Sequence, residues 1–180
     1  VLLAESGLED NQSLRRAIRT VQTCLGVEPG CYMANRYDHS VVRVEGFDAA
    51  LARYELIEAA GETEPLDPKK LADEYDVVDE ADFRVLCTFR TRELPEMLKK
   101  DPAAVLAGVC MARGGQVDTD ALRDLLADHL PEGGWSRWWS RARTAARKTD
   151  TLSVEGRNPT IVSYHPHGRS LEEELAPVAE

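Results

Sequence analysis

All three tryptophans and five basic residues crowd into one stretch, Gly133-Gly134-Trp135-Ser136-Arg137-Trp138-Trp139-Ser140-Arg141-Ala142-Arg143-Thr144-Ala145-Ala146-Arg147-Lys148. On a helix, Trp135, Trp138, Trp139, Ala142 and Ala146 share one side. Arg137, Arg141 and Lys148 fall on another, with Arg143 and Arg147 an i,i+4 pair beside them. A guanidinium fork pairs bidentately with phosphate or carboxylate. Five cations on one short helix therefore suit salt-dependent contact with a nucleic-acid backbone or an acidic protein. Tryptophans bury about 150–250 Å2 each, so they serve as core anchors. The expectation is that Trp138 and Trp139 are mostly buried and the basic side faces outward. The expected partner-binding set is Trp135, Arg137, Arg141, Arg143, Arg147 and Lys148.

The background charge makes this helix stand out. The 180 residues hold 22 Lys and Arg against 32 Asp and Glu, a net charge of −10. Between Glu55 and Asp82 lie eleven acids and two lysines. Such a run reads as a solvated face, or as a site for a basic partner. Residues 134–149 carry five bases and no acid, so the rest of the chain is at −15. That surplus repels a duplex unless it is turned away.

Other candidate chemistry is thin. His165-Pro166-His167 places two imidazoles one residue apart with no third ligand nearby, which suits a surface loop better than a metal site. His39 beside Asp38 reads as a turn residue. Ser136, Ser140 and Ser163 lack a nucleophile-elbow context, and no glycine-rich phosphate loop follows a strand. Gly114-Gly115 and Gly133-Gly134 read as helix ends. The acidic pairs Asp73-Glu74 and Asp79-Glu80 read as solvated. No catalytic residue, cofactor or metal is expected.

The four cysteines, Cys24, Cys31, Cys87 and Cys110, form no CxxC pair. Cys87 and Cys110 sit among apolar neighbours, where a thiol behaves as a small hydrophobe. Free thiols point to a reducing, cytoplasmic setting. No apolar run approaches the length of a membrane helix. Val1-Leu2-Leu3-Ala4 is too short for a signal peptide's apolar region. A chain starting at Val1 is expected to be processed or excised from a longer one.

The stretch from Glu93-Leu94 to Val154 resembles an accessory helical region that precedes the Gre-type transcription elongation factor domain in some bacterial proteins. The resemblance rests on a Trp-x-x-Trp-Trp block followed by an Arg and then an Asp, here Trp135, Trp138, Trp139, Arg143 and Asp150. It implies association with RNA polymerase or its nucleic acids. A long coiled coil with an acidic tip and the globular domain that follows it in such factors have no counterpart here. Transcript cleavage by metal-held acids is therefore not implied.

The elements that must carry these residues follow from periodicity and punctuation. Residues 11–25 read as an amphipathic helix with Leu14, Ile18, Val21 and Leu25 inward. CYMANRY and SVVRVEG read as a β-hairpin around Asp38-His39, and FDAALARYELI reads either as a helix from Phe47 or as a third strand from Arg53, with the strand favoured. AAGETEPLDP, residues 59–68, reads as a linker. Beyond it helices are expected at 68–75, 79–90, 91–99, 102–113, 118–129 and 134–148, started by Asp67-Pro68, Asp101-Pro102 and Asp118. A short hairpin is expected within 151–164, then an acidic tail from Ser170.

The expected fold is mainly α with a small N-terminal β element, divided into a subdomain over 1–64 and a helical domain over 65–180. The expected function is a non-catalytic module that binds RNA polymerase or another transcription protein, with nucleic acid as a second partner and no membrane. One alternative is a helical scaffold using the acidic 55–82 segment. Another is an enzyme assembled from residues such as His129, His165 and the acids.

Overall fold

The computed structural model describes residues 14–168. The chain divides into two compact units, with the boundary between Glu80 and Ala81.

The first unit is built on a five-stranded antiparallel sheet of order β4-β3-β2-β1-β5. Its strands are β1 Tyr32–Asn35, β2 Val41–Asp48, β3 Arg53–Ile57, β4 Thr63–Leu66 and β5 Tyr75–Val78. Helices α1 (Leu14–Gly26) and α2 (Pro68–Glu74) complete the unit. The β1–β2 hairpin pairs Tyr32 with Arg43 and Ala34 with Val41. Its turn is held by Asn35 Oδ1, which accepts from the Tyr37 amide at 2.8 Å, and by Asp38, which accepts from Ser40. His39 takes a left-handed φ of 61° there. Met33, Val44, Leu56 and Leu71 form the centre of the core.

A single arginine ties this unit's sheet to the end of its short helix. Arg36 donates to the carbonyls of Ala72 at 2.8 Å, Asp73 at 2.6 Å and Tyr75 at 2.9 Å, and pairs with Asp76. The last carbonyls of a helix lack partners within it, and a guanidinium satisfies several at once.

Two expectations change here. The presumed linker over 59–68 is the turn between β3 and β4 followed by β4 itself, paired with β3 from Ile57↔Thr63 to Tyr54↔Leu66. On α1 the buried residues are Ala17, Thr20 and Cys24, whereas Leu14, Ile18 and Leu25 are exposed. Small side chains let this helix approach α2 closely, and the Thr20 hydroxyl is satisfied by the Arg16 carbonyl at 3.1 Å.

The second unit contains α3 Phe83–Thr88, α4 Leu94–Lys100, α5 Pro102–Ala112, α6 Thr119–Leu126 and α7 Trp135–Ala146. A three-stranded antiparallel sheet joins them, of order β6-β8-β7, from Gln116–Asp118, Ile161–Tyr164 and Leu152–Glu155. Aspartates start three helices: Asp82 accepts from the Arg84 amide at 2.9 Å, Asp101 from Ala104 at 3.1 Å, and Asp118 from Ala121 at 2.8 Å. Each satisfies an amide that the first turn leaves without a partner.

The mainly α expectation is overturned by these two sheets; the fold is α+β. The two hairpins and the strand from Arg53 stand where expected, but periodicity missed β4, β5 and β6, which are three or four residues long, and β6 pairs with a strand more than forty residues away. Residues 65–80, expected with the helical half, supply α2 and β5 to the first unit.

Helix α5 is the axis of the second unit. Val105, Leu106, Val109 and Cys110 are fully buried, ringed by Leu86, Leu122, Leu126, Trp138, Ala142, Leu152 and Val162. Gly108 permits close passage of the 81–83 backbone, because a Cβ there would stand 2.3 Å from the Ala81 carbonyl oxygen. Gly114 and Gly115 stop the helix with φ of 74° and 103°, and the Gly115 amide bonds back to Cys110 O at 2.7 Å.

Two outcomes follow from this packing. Gly108→Ala should destabilise the protein by about 1–3 kcal/mol through overpacking. In an exposed helix the same change would stabilise by roughly 0.5–1 kcal/mol; a rise in denaturation midpoint would contradict the packing. Burial pushes the Cys110 thiol up to about 12. The folded state thus keeps a proton that the unfolded chain releases near pH ~8.5. Its contribution is intact below that pH and drains away as pH climbs toward 12. Urea midpoints measured from pH 8 upward should fall, and Cys110→Ala should flatten part of the slope.

Candidate nucleic-acid interface

Helix α7 buries Trp138, Ala142 and Ala146, with Trp135, Trp139 and Ala145 half-buried beside them. At 3.6 residues per turn these six side chains face the core, and the remaining eight positions of 136–148 spread over an arc of about 160°. Those eight are Ser136, Arg137, Ser140, Arg141, Arg143, Thr144, Arg147 and Lys148, all exposed. The outward arc thus holds five cations, three hydroxyl groups and no acid.

The inward side is fixed by polar as well as apolar contacts. The Trp138 indole N–H donates to Leu98 O at 3.1 Å, deep in the core. Arg141 donates to the neighbouring Lys99 O, so α7 side chains satisfy two carbonyls at the end of α4. Trp135 stacks parallel on Trp139 with ring centroids 5.8 Å apart and an interplanar angle of 2°. Trp139 is half-buried rather than mostly buried as expected: at the margin of the inward arc it is covered on one face by Trp135 and leaves other surface to solvent.

Neighbouring elements frame the helix. Before it run α6, a short 3-10 turn over Ala127–His129 and the connection 130–134. After it the β7–β8 hairpin packs back on the unit, with exposed Arg157 in its loop. In chain order the basic helix is thus preceded by a helix and an eight-residue connection and followed by a hairpin of the three-stranded sheet. The loop arginine was missed in the sequence because a lone cation in a turn has no pattern. Its placement depends on the β7–β8 pairing.

Charge is also redistributed by the division into units. Residues 81–168 hold 13 Lys and Arg against 11 Asp and Glu. The acid surplus that would repel a polyanion lies outside that span. Part of the acidic 55–82 run is engaged locally: Asp73 with Arg16, Asp76 with Arg36, Glu74 with Lys70, and Asp82 with Arg84.

The residues proposed for an enzyme are placed in other roles. His129 Nε2 lies 3.7 Å from Cys87 Sγ, and its ring meets Phe83 edge-on. Burial, aided by the Asp82 carboxylate, raises the Cys87 thiol above its ordinary value, the opposite of what an activated nucleophile requires. His165 bonds the buried Ser153 hydroxyl at 3.1 Å. Among the described residues no group of His, Cys, Asp and Glu could hold a metal ion. No helix among them is long and apolar enough to cross a membrane.

The second unit is similar to a known kind of domain. Residues 84–168 match the family of the GRAD helix-turn-helix domain, a Gre-related domain, in agreement with the resemblance carried by the Trp block. This similarity associates the unit with nucleic-acid or transcription-related function. No curated protein and no solved structure matches the chain.

Trp138 should be the anchor of the interface scaffold. Trp138→Phe leaves the buried Leu98 carbonyl without its donor and should cost about 1–3 kcal/mol. Trp138→Ala adds a cavity and should cost about 3–5 kcal/mol. Denaturant unfolding of both variants checks the order; a Trp138→Phe variant as stable as the parent would mean that the indole N–H contributes nothing.

Proposed function

We propose that the second unit is a non-catalytic module that binds the sugar-phosphate backbone of duplex nucleic acid through the outward arc of α7. The supporting observation is the composition of that arc: five cations and three hydroxyl groups without an acid, on a helix within the span 84–168. Arg137, Arg143, Arg147 and Lys148 reach phosphates, and Arg141 does so from a position set by Lys99 O. The open edge of Trp135 borders the first turn, where no side chain caps the helix amides. Those free amides favour an anion as well. The setting is transcription elongation on RNA polymerase in the bacterial cytoplasm, with the polymerase as the protein partner.

Fluorescence anisotropy with a labelled duplex tests this reading. Affinity should fall steeply between about 50 and 200 mM salt. Arg143→Gln with Arg147→Gln should lower the slope of log K against log salt by about 1.8, or ~0.9 per lost phosphate contact. Neither arginine supports the fold, so the melting transition should move within about 0.5 kcal/mol. Salt-independent binding, or an unchanged slope in the double variant, would refute the assignment.

A further inference from the structure

Beside the phosphate-facing arc lies a cleft that the proposed reading does not use. It has a volume of about 480 Å3 and is walled by α4, the 129–134 segment and α7. Leu98, Leu130 and Trp138 line its apolar part. The Trp138 N–H is already committed to Leu98 O, so the indole presents only carbon surface there. Arg137 and Arg141 stand on one side, and Glu132 is the single lining acid. Arg141 is held by Lys99 O and retains further N–H groups for a ligand. Arg137 makes no hydrogen bond or ion pair with the described residues.

We propose that this cleft is a binding site for a small organic carboxylate with an apolar body, its carboxylate held by Arg137 and Arg141. The volume lies within the ~300–1,000 Å3 typical of small-molecule sites, and an apolar wall with a few convergent polar groups is their usual lining. Charge selects the ligand: Arg137, Arg141 and Lys99 against the one carboxylate of Glu132 favour an anion, and the planar carboxylate matches the guanidinium fork. The apolar body lies against Pro95, Leu130 and Pro131, with the nearly buried Leu98 and Trp138 at the floor. Both arginines also belong to the outward arc, so an occupied cleft removes two cations from the nucleic-acid surface. That consequence, unlike the site itself, rests on the function proposed above.

Octanoate is a suitable probe, with octanamide as its neutral counterpart. All three tryptophans lie on α7, so intrinsic fluorescence of the full chain reports locally. Octanoate should change the emission saturably below about 10 mM, and octanamide should bind about tenfold more weakly or worse. Arg137→Gln should weaken octanoate about tenfold and leave octanamide unchanged, with an unaltered melting transition. No saturable change, equal affinity for the two probes, or an indifferent Arg137→Gln variant would overturn the site. In a second arm, octanoate should raise the apparent Kd for a labelled duplex in proportion to its own occupancy. If octanoate binds and the duplex affinity is unmoved, the competition is wrong. If the duplex does not bind even without octanoate, the fault lies in the nucleic-acid reading, and the fluorescence titration still decides the cleft.

Discussion

Burial of α5 is the constraint on which the second unit depends. An eleven-residue helix that is apolar nearly all round must be surrounded, because exposed apolar surface costs roughly 25 cal/mol per Å2. Helices α3, α4 and α7 and the small sheet supply the surroundings. Gly108 lets the chain pass against its flank, and the Gly114-Gly115 stop turns the backbone into β6. The position of α7 follows from this packing: its small residues Ala142 and Ala146 lie against the axis, and Trp138 fills the space toward α4.

The same packing decides which side of α7 is free. Once Trp138, Ala142 and Ala146 are inside, helical geometry leaves the arginines and hydroxyl residues outside. Stability is then carried by one face of the helix, and the proposed binding uses the opposite one. Arg141 is the exception, since its guanidinium helps complete the end of α4 while remaining exposed. It couples the scaffold to the surface, which is why neighbouring Arg143 and Arg147 are the cleaner probes of phosphate contact.

The first unit solves a similar problem differently. Its short α2 ends against a sheet, and its terminal carbonyls would lack partners there; Arg36 fills them from the β1–β2 turn. The acids that make this part of the sequence look like a solvated linker are partly spent on such local ties. A run of like charge therefore did not mean an unstructured connection. β4 and β5, at 63–66 and 75–78, lie within or beside that acidic text and pair as regular strands.

Helices were legible because their signals are local. Capping aspartates, proline at a first turn and the 3.6-residue recurrence of Leu and Ala act over one or two turns, and the helices of the second unit stand close to the expected positions. The amphipathic split of the Trp-Arg stretch was readable for the same reason, down to buried Trp138 and exposed Arg137. The local hairpins were readable too, but the pairing of β6 with β8 was not, because α6, α7 and β7 lie between them in the chain. On α1 the sequence pointed to Leu14, Ile18 and Leu25 as the inner face, yet the small residues Ala17, Thr20 and Cys24 are inside. Hydrophobic periodicity marks which side chains favour burial, while the shape of the neighbouring surface decides which fit. The sequence by itself determined the helices and the two chemical faces of α7. Tertiary structure decided the pairings of β5 with β1 and β6 with β8, the boundary at Glu80, the tie from Trp138 to Leu98 and the cleft beside Arg137, because each requires residues distant in the chain to meet.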